Sequence, residues 1–269
     1  MNKQISSWRI FPIGTFSPAE NMAMDEALFR AKIRNPQEKP NSIRFYRWKP
    51  SAVTIGKNQK IIEEIDLEAC KKNNVDFLRR ITGGGAVFHM YSGELTYSII
   101  VSLSELELSS TENFYYKVLY ALQFGLSNLQ ITTEIGKHGC PALFINKKKI
   151  SGNAQAISGD IILQHGTILL DYNPELMYTV LKARPGKERT YMVQSVYAKV
   201  TTLKKEHRIS QFNRVAKSIE QGFKETFRIN QSDLKEPIFT REEIELKNHF
   251  IKNRYMSLDW NINKIEPKS

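Results

Sequence analysis

Short segments rich in β-branched and aromatic residues follow one another closely along the first part of this chain. They predict strands over Ile43–Trp48, Ala52–Ile55, Asp76–Ile81, Ala86–His89, Leu95–Leu103, Ile131–Ile135, Ala142–Ile145, Lys149–Ala154 and Ile161–Asp171. Helical patterns interrupt these segments, but strand and helix do not alternate strictly, as they do in parallel α/β sheets. The order therefore predicts an α+β fold with a single mixed or largely antiparallel sheet that is flanked by helices.

Helical patterns lie between and after these strands. Ser17-Pro18-Ala19-Glu20 combines a capping box with a proline in the first turn, so it predicts a helix that runs to about Lys32. Further helices are predicted over residues 66–73, 114–129, 173–182, 212–227 and 241–257. Since no repeat or low-complexity linker divides the chain, we expect one domain with a small helical C-terminal extension.

Composition and the distribution of apolar residues exclude several classes of protein. With 269 residues, of which 41% are hydrophobic, the chain can bury a sizeable core. No apolar run approaches the ~18–20 residues that cross a bilayer, and Met1–Gly14 lacks the apolar centre of a signal peptide. Two cysteines, Cys70 and Cys140, are too few for a disulfide framework or a zinc cluster. We expect a reduced, cytoplasmic, globular protein with no membrane partner.

The chain is strongly basic, with 39 Lys and Arg against 28 Asp and Glu and a net charge of +11. Such a charge favours an acidic partner. Nucleic acid is the first candidate, but the sequence has no zinc-finger spacing, recognition-helix signature or aromatic RNA-binding strand. An acidic protein partner and a merely solubilising surface both remain open, and we expect no nucleic acid.

Three consecutive glycines, Gly83-Gly84-Gly85, separate two predicted strands and follow Arg79 and Arg80. Glycine allows positive φ and lets main-chain N–H groups approach a ligand. Beside arginines, such a turn suits a phosphate, a carboxylate or a developing oxyanion. It matches neither the Walker A nor the dinucleotide-binding pattern. The alternative interpretation is a tight hairpin bend.

Two later segments have a similar character. Lys149-Ile150-Ser151-Gly152-Asn153-Ala154 places a cation beside main-chain donors. His165-Gly166-Thr167 interrupts an otherwise apolar strand, and both His and Gly are poor strand residues. We therefore expect some group to approach that backbone closely. Alone, such a histidine is more often a hydrogen-bonded core residue than a ligand or a base.

Together these segments resemble the lipoate–protein ligase and octanoyltransferase superfamily, which is related to biotin–protein ligase. The resemblance rests on Arg79-Arg80-Ile81-Thr82-Gly83-Gly84-Gly85-Ala86-Val87-Phe88-His89, the Lys149 and His165 segments, Asn21-Met22-Ala23-Met24-Asp25-Glu26-Ala27, Arg44-Phe45-Tyr46-Arg47-Trp48 and Tyr255-Met256-Ser257-Leu258-Asp259-Trp260-Asn261. It implies a catalytic domain over residues 1–210, whose sheet lines an acyl or acyl-adenylate tunnel, with a helical part over residues 211–269 packed on it.

The resemblance implies two alternative reactions. Ligases of the superfamily use ATP and Mg²⁺ to form lipoyl-adenylate and then acylate a lysine of an acidic lipoyl domain. Cysteine-dependent transferases instead take octanoyl from acyl carrier protein, or move it between carrier domains, through an acyl-enzyme thioester. These need no ATP.

Cys140-Pro141, nine positions before Lys149, resembles the nucleophile region of the transferases. Many ligases have Arg-Asn-Asp in this neighbourhood, which is missing here. Met90 replaces the family's usual aspartate after the motif histidine, which disfavours nucleotide chemistry, and whether Glu94 compensates is left open. Little chain follows the final predicted helix, which is compatible with either reaction. The alternative interpretation of Cys140 is a small buried apolar residue, and Cys70 is assigned no role.

We therefore expect an octanoyltransferase of lipoate biosynthesis that needs no cofactor and no metal, with Cys140 as nucleophile. Lys149 would favour the thiolate and stabilise the oxyanion. The substrate-binding residues implied by the resemblance are Arg79, Gly83, Gly84, Gly85, His89, Ser151, Gly152, Asn153, Ala154, His165, Gly166 and Thr167. Among these, Arg79 would anchor the carrier's arm, and His165, Gly166 and Thr167 would line the tunnel.

The expected partners are octanoyl-acyl carrier protein and a lipoyl domain. The lipoyl domain would belong to glycine-cleavage H protein or to a 2-oxoacid dehydrogenase acyltransferase subunit. Both partners are acidic, so the net positive charge of the chain would attract them. The alternative function is an ATP-dependent lipoate–protein ligase without a fused accessory domain.

Overall fold

The computed structural model describes residues 7–136, 141–183, 186 and 188–266, without the side chains of residues 195, 197 and 198. The strands in chain order are β1 (Trp8–Ile10), β2 (Gly14–Phe16), β3 (Asn41–Trp48), β4 (Ala52–Ile55), β5 (Asp76–Arg79), β6 (Val87–His89), β7 (Glu94–Ser102), β8 (Glu134–Ile135), β9 (Leu143–Ile145), β10 (Lys148–Lys149), β11 (Ser151–Ser158) and β12 (Ile161–Leu169). The helices are α1 (Pro18–Arg34), α2 (Ile61–Glu64), α3 (Leu67–Lys72), α4 (Thr111–Ser127), α5 (Pro174–Val180), α6 (Arg189–Lys199), α7 (Leu203–His207), α8 (Phe212–Phe227), α9 (Arg241–Phe250) and α10 (Leu258–Asn261).

A mixed six-stranded sheet forms the centre of the fold, in the order β1-β3-β7-β12-β11, with β2 also paired to β3. Strands β3, β7, β12 and β11 are antiparallel neighbours, whereas β1 and β2 run parallel to β3. The predicted α+β class with a mixed sheet is confirmed. The sheet is accompanied by two three-stranded sheets, β5-β4-β6 and β10-β9-β8, which the sequence analysis had merged with it.

Helices cover both faces of the central sheet. Along β3, Phe45 packs in a cluster with α4 and α8, whereas its neighbour Tyr46 packs in a cluster with α1. This alternation follows the two-residue period of a strand, and both faces are apolar because both are covered. Helices α8 and α9, from the C-terminal part of the chain, pack on α4 and α1 respectively.

The sequence analysis predicted the long elements better than the short ones. Strand β4 and helix α8 have the predicted bounds, and the capping box of α1 at Ser17 and Glu20 is formed. Helix α9 ends at Phe250, where a π-helical turn, Ile251–Tyr255, replaces the predicted continuation. Helices α2, α6, α7 and α10 and strands β1 and β2 were not predicted. Helix α6 has no side-chain N-cap, and the others have five residues or fewer, too short for a clear periodic pattern.

Within the described ranges, no helix has the length and apolar character needed to cross a bilayer.

Candidate active site

A cavity of about 260 Å³ lies between the central sheet and the β5-β4-β6 sheet. Its lining comes from α1, these two sheets, strand β10 and the glycine turn. It consists of Met22, Tyr46, Trp48, Thr54, Arg80, Gly84, Gly85, Ala86, Val87, His89, Thr96, Lys149, Gly152, Asn153, Ala154, His165, Gly166 and Thr167. We call it the acyl cavity. All three motif segments of the sequence analysis contribute to its wall.

Pairing of β11 with β12 brings two of these segments side by side. Gly152 lies opposite Thr167, Asn153 opposite Gly166, and Ala154 opposite His165. Because strands β11 and β12 are antiparallel neighbours, residues that are more than ten positions apart in the chain form one continuous patch of the cavity wall.

Gly166 lies where other groups approach the backbone most closely. A Cβ atom at this position would be 2.2 Å from Asn153 Oδ1 and 2.7 Å from the Tyr97 hydroxyl. That hydroxyl donates a hydrogen bond to Asn153 Oδ1. The expectation that a group close to the strand requires glycine here is confirmed, and the groups are the Asn153–Tyr97 pair and the main-chain carbonyl oxygen of Gly152, which would be 2.5 Å from the added Cβ.

We expect Gly166→Ala to lower the free energy of unfolding by about 1–3 kcal/mol, because the added methyl group must displace Asn153 and Tyr97. Urea unfolding followed by circular dichroism measures this loss. The matched control is Gly152→Ala in the paired strand, where the nearest atom, Thr167 Oγ1, would be 4.0 Å from the new Cβ. Equal stability of the two variants would contradict the close approach described here.

Arg80 holds the glycine turn in place. Its Nη2 atom donates to the carbonyl oxygens of Gly83 (2.7 Å) and Gly85 (2.8 Å), and its Nη1 atom donates to Thr54. Burial lowers the pKa of Arg80 to about 10, which still leaves it protonated at neutral pH. Gly84 has a φ of +92°, which only glycine adopts readily.

The turn is not a hairpin. Strands β5 and β6 both pair with β4, one on each side of it, so the turn crosses the end of β4. This geometry exposes Gly83, Gly84 and Gly85 to solvent while Gly84 and Gly85 also reach the cavity wall. The alternative interpretation of the triplet, a tight hairpin bend, is therefore wrong.

Arg79, which was predicted to anchor the carrier's arm, is 1% exposed and lies on the other side of the chain from Arg80. Its guanidinium donates to main-chain carbonyl groups of two loops, those of Gly56, Lys57, Gln59, Trp260, Asn261 and Ile262. The structure thus corrects the predicted role: Arg79 ties these loops together, and Arg80 takes the place at the cavity.

His165 belongs to a buried network that is centred on Asp25 of α1. Its Nε2 atom lies 2.7 Å from Thr82 Oγ1, and its Nδ1 atom lies 3.4 Å from Asp25 Oδ2. Asp25 also forms an ion pair with Arg44 and accepts hydrogen bonds from the hydroxyls of Tyr46 and Ser98. Burial lowers the pKa of His165 more than Asp25 raises it, so His165 is neutral at pH 7.

The pKa of Asp25 is lowered although burial raises it, because Arg44, His165 and Ser98 together stabilise the carboxylate. Asp25 therefore stays ionised at pH 7 and fixes one end of the His165 imidazole. The two interpretations of His165, a hydrogen-bonded core histidine and a site residue, both hold, because its ring is buried and also lines the cavity.

A second polar network supports His89. Its Nδ1 atom lies 2.6 Å from Glu94 Oε1, its Nε2 atom lies 2.9 Å from Thr54 Oγ1, and its ring stacks on Trp48 at 4.1 Å. Glu94 is 2% exposed and also accepts a hydrogen bond from Thr96. The carboxylate that contacts the motif histidine is therefore Glu94 of β7.

Lys149 lies in the short strand β10, which pairs with β9 through Phe144. A parallel bridge to Val200 and a hydrogen bond from the Thr201 amide hold its backbone. Lys149 lines both the acyl cavity and a second cavity. Ser151, which was also predicted as a site residue, lines the second cavity and not the first. Cys140 lies outside the described residues.

Cys70 is fully buried in a core cluster with Val53, Ile61 and Val75, and burial raises the pKa of its thiol to about 11. Such a thiol is protonated and inaccessible at neutral pH. The structure thus makes Cys70 a core residue, as assumed when no role was assigned to it.

Comparison with known sequences agrees with this geometry. The sequence model of the lipoyl protein ligase A/B catalytic domain matches residues 17–224, which include every residue of the acyl cavity.

The chain belongs to this family.

Curated relatives within the family resemble the chain over nearly its whole length. Octanoyltransferase LipM of Brevibacillus brevis is 31% identical over 97% of this chain and 100% of its own, and octanoyltransferase LipM of Carboxydothermus hydrogenoformans is 32% identical over 95% and 98%. Among solved structures, the bi-partite lipoate protein ligase of Thermoplasma acidophilum is similar with a TM-score of 0.83. It is 26% identical and covers 98% of this chain and 99% of its own.

Several residues of the cavity were not among the predicted site residues, although all of them except Thr54, Glu94 and Thr96 stand in the segments that carry the family resemblance. They are Met22, Tyr46, Trp48, Thr54, Arg80, Ala86, Val87 and Thr96 in the wall, with Asp25 and Glu94 behind it. One signal was available for Asp25, since an acidic residue stands among Met22, Ala23 and Ala27 in the predicted helix. A charge inside an apolar helical stripe indicates a buried partner.

Proposed function

We propose that this chain transfers an octanoyl group from acyl carrier protein to a lysine of a lipoyl domain, through a thioester on Cys140. Its main support is the similarity, over nearly the whole chain, to curated relatives that are named octanoyltransferases. The same relatives disfavour the ATP-dependent ligase alternative. The buried acyl cavity beside Lys149 supplies a place for the acyl chain.

The proposed reaction has two acyl-transfer steps. The Cys140 thiolate attacks the carbonyl carbon of the octanoyl thioester, the bond to the carrier's sulfur breaks, and that sulfur leaves as a thiol after taking a proton. The amine of the lipoyl-domain lysine then attacks the enzyme thioester, loses a proton and releases Cys140 as an amide forms. Conversion of a thioester into an amide lowers the free energy, so the two steps together proceed without ATP.

Lys149 supplies positive charge to both steps. As an ammonium group it would favour the thiolate of Cys140 and stabilise the oxyanion that develops on the carbonyl oxygen. Its position on the cavity wall beside Gly152 and Asn153 supports this role. The main-chain N–H groups of Gly84, Gly85, Gly152 and Asn153 are further candidate donors.

Asn153 offers one more donor to the substrate. Its Oδ1 atom accepts the hydrogen bond from Tyr97, while its buried Nδ2 atom has no hydrogen-bond partner among the described residues. Leaving a buried amide N–H unpaired costs about 1–3 kcal/mol. Asn153 lines the acyl cavity, so a rotation of its side chain on substrate binding would present Nδ2 to the thioester carbonyl oxygen and remove this cost.

The polar side chains at the wall are already paired with one another, which suits an apolar guest. Thr54, His89, Glu94 and Thr96 bond among themselves, and the Trp48 indole donates to Thr96 at 2.7 Å. Because these groups need no partner from the ligand, an alkyl chain can lie against them without leaving hydrogen bonds unmade. We infer that the octanoyl chain extends past His165 and Thr167 toward Met22 and Trp48.

A lipoyl domain is the proposed acceptor. The Thermoplasma acidophilum ligase, which shares this fold along almost its whole length, was solved in a study of that enzyme and its E2 lipoyl domain. The net charge of +11 is suited to an acidic acceptor of this kind.

Incubation of the protein with octanoyl-acyl carrier protein, in the absence of ATP, is expected to add one octanoyl group to the enzyme, because the thioester already carries the required energy. Intact mass spectrometry detects the adduct, and neutral hydroxylamine should remove it, as it removes thioesters. The control omits the carrier protein and supplies free octanoate. If the enzyme gains no octanoyl group, and a lipoyl domain is octanoylated only when ATP and free octanoate are supplied, the chain is a ligase and the proposed function is wrong.

A further inference from the structure

A second cavity, of about 270 Å³, meets the acyl cavity at Lys149. The two cavities share Ala86, Val87, Lys149, Gly152 and Thr167. A molecule whose reacting bond lies beside Lys149 would therefore lie next to both of them. In the proposed reaction that bond is the thioester, which has the octanoyl chain on one side and the carrier's arm on the other.

The lining of the second cavity is apolar with a few interspersed polar groups. Its apolar side chains include Met90, Leu169, Met177, Leu181, Val196 and Val200. Asp171, Tyr172, Asn173 and Tyr178 supply the polar groups. Such a mixed wall matches a ligand in which methyl and methylene groups alternate with amides, as they do in phosphopantetheine. The cavity is also larger than the side chain of an acceptor lysine, the other group that must reach the thioester, would need.

Several lysine residues lie on the segments next to the wall of this cavity. We call Lys147, Lys148, Lys199, Lys204 and Lys205 the basic rim. Lys204 Nζ lies 2.6 Å from Asp171, a wall residue, and Lys199 directly precedes Val200, another wall residue.

The turn that carries Lys147 is held to α7, because Asn146 donates to Glu206 at 2.9 Å. Lys204 pairs with Asp171, and Glu206 accepts its hydrogen bond from Asn146, so the five lysines of the basic rim outnumber these two carboxylates.

We propose that the second cavity receives the phosphopantetheine arm of an acidic acyl carrier protein that docks on the basic rim. The arm would run from the rim, past Tyr172 and Tyr178, to a thioester beside Lys149. This inference rests on the proposed function, since it assumes a carrier-bound donor.

Filling the second cavity tests the arm directly. We expect Val196→Trp to slow acylation by octanoyl-acyl carrier protein by at least about tenfold, because the indole occupies the space of the arm. Acylation by octanoyl-N-acetylcysteamine, which lacks most of the arm, should stay within about twofold of wild type. The matched control is Gln194→Trp, an exposed position of the same helix α6. Quenched-flow mixing with intact mass detection measures both rates.

Three results would overturn the assignment of the cavity. In the first, Val196→Trp leaves acylation by the carrier protein unchanged. In the second, it slows both thioesters equally, so that the arm is not what the cavity recognises. In the third, it slows only the transfer from the acyl-enzyme to a lipoyl domain, which would make the cavity part of the acceptor site.

Charge reversal on the rim tests the docking surface. We expect Lys199→Glu combined with Lys205→Glu to lower the second-order rate constant for octanoyl-acyl carrier protein by about tenfold at low salt, with no change for the short thioester. Raising the salt concentration should remove the difference, since the Debye length falls to about 3 Å at 1 M. The control is Lys235→Glu, an exposed residue beside β1, at the opposite edge of the central sheet from β11.

If the rim variant and the Lys235 variant behave alike, the basic rim does not dock the carrier. A failure of the proposed function has a different signature, because wild-type enzyme would then take no octanoyl from either thioester without ATP. The two failures are therefore distinguishable in the same set of measurements.

Discussion

Cys140→Ala is expected to abolish the octanoyl adduct and to lower the rate of octanoyl transfer on the order of 10³-fold or more. Without the thiol, the lysine of the lipoyl domain would have to attack the carrier's thioester directly, and the covalent route is lost. The measurement combines intact mass after incubation with octanoyl-acyl carrier protein and a gel-shift assay of the lipoyl domain.

Cys70→Ala provides the matched control. Cys70 is 0% exposed, and its thiol is protonated at neutral pH, so this variant should keep both the adduct and the transfer activity. It removes core volume, and its free energy of unfolding should be recorded alongside. An adduct that survives in Cys140→Ala but disappears in Cys70→Ala would exchange the roles of the two cysteines.

Lys149→Ala is expected to lower the rate of octanoyl transfer on the order of 10²-fold, because it removes the cation that would stabilise the oxyanion. It should also raise, by about one unit, the pH at which half of Cys140 reacts with iodoacetamide. The thiolate fraction at pH 7 falls accordingly. Iodoacetamide modification as a function of pH, in a Cys70→Ala background, measures this midpoint.

Lys148→Ala, the neighbouring lysine of β10, is the control for the alkylation midpoint of Lys149→Ala, since iodoacetamide needs no docking surface. Lys148 lies in the same short strand but outside the lining of either cavity, so its replacement should leave the alkylation midpoint in place. In an ATP-dependent ligase, Lys149→Ala would instead abolish adenylate formation without moving the midpoint. An unchanged midpoint therefore counts against the thiolate mechanism.

Adjacent residues in an extended segment can have unrelated roles, as Arg79 and Arg80 show. Both precede the glycine triplet, and sequence reasoning chose Arg79. Successive side chains of an extended segment point to opposite sides. One guanidinium therefore meets the loops around Trp260, and the other meets the glycine turn. Which side faces the cavity depends on the pairing of β5 with β4, which the local sequence does not reveal.

The supporting carboxylates were harder to predict than the cavity wall. Asp25 reaches His165 from a helix 140 positions earlier in the chain, and Glu94 reaches His89 from the start of the next strand. Neither residue belongs to a motif with its own local geometry. Their roles follow from burial beside a histidine, because a buried carboxylate must find a partner.

The sequence by itself determined the α+β class, most of the long elements, the family and the three segments that line the acyl cavity. It could do so because hydrophobic periodicity, caps and glycine positions act over a few residues. Only the tertiary structure decided that Arg80 faces the cavity, that Asp25 and Glu94 hold its histidines, and that a second cavity joins it at Lys149. These features depend on which strands pair and which helices cover them, and such contacts join groups that are far apart in the chain.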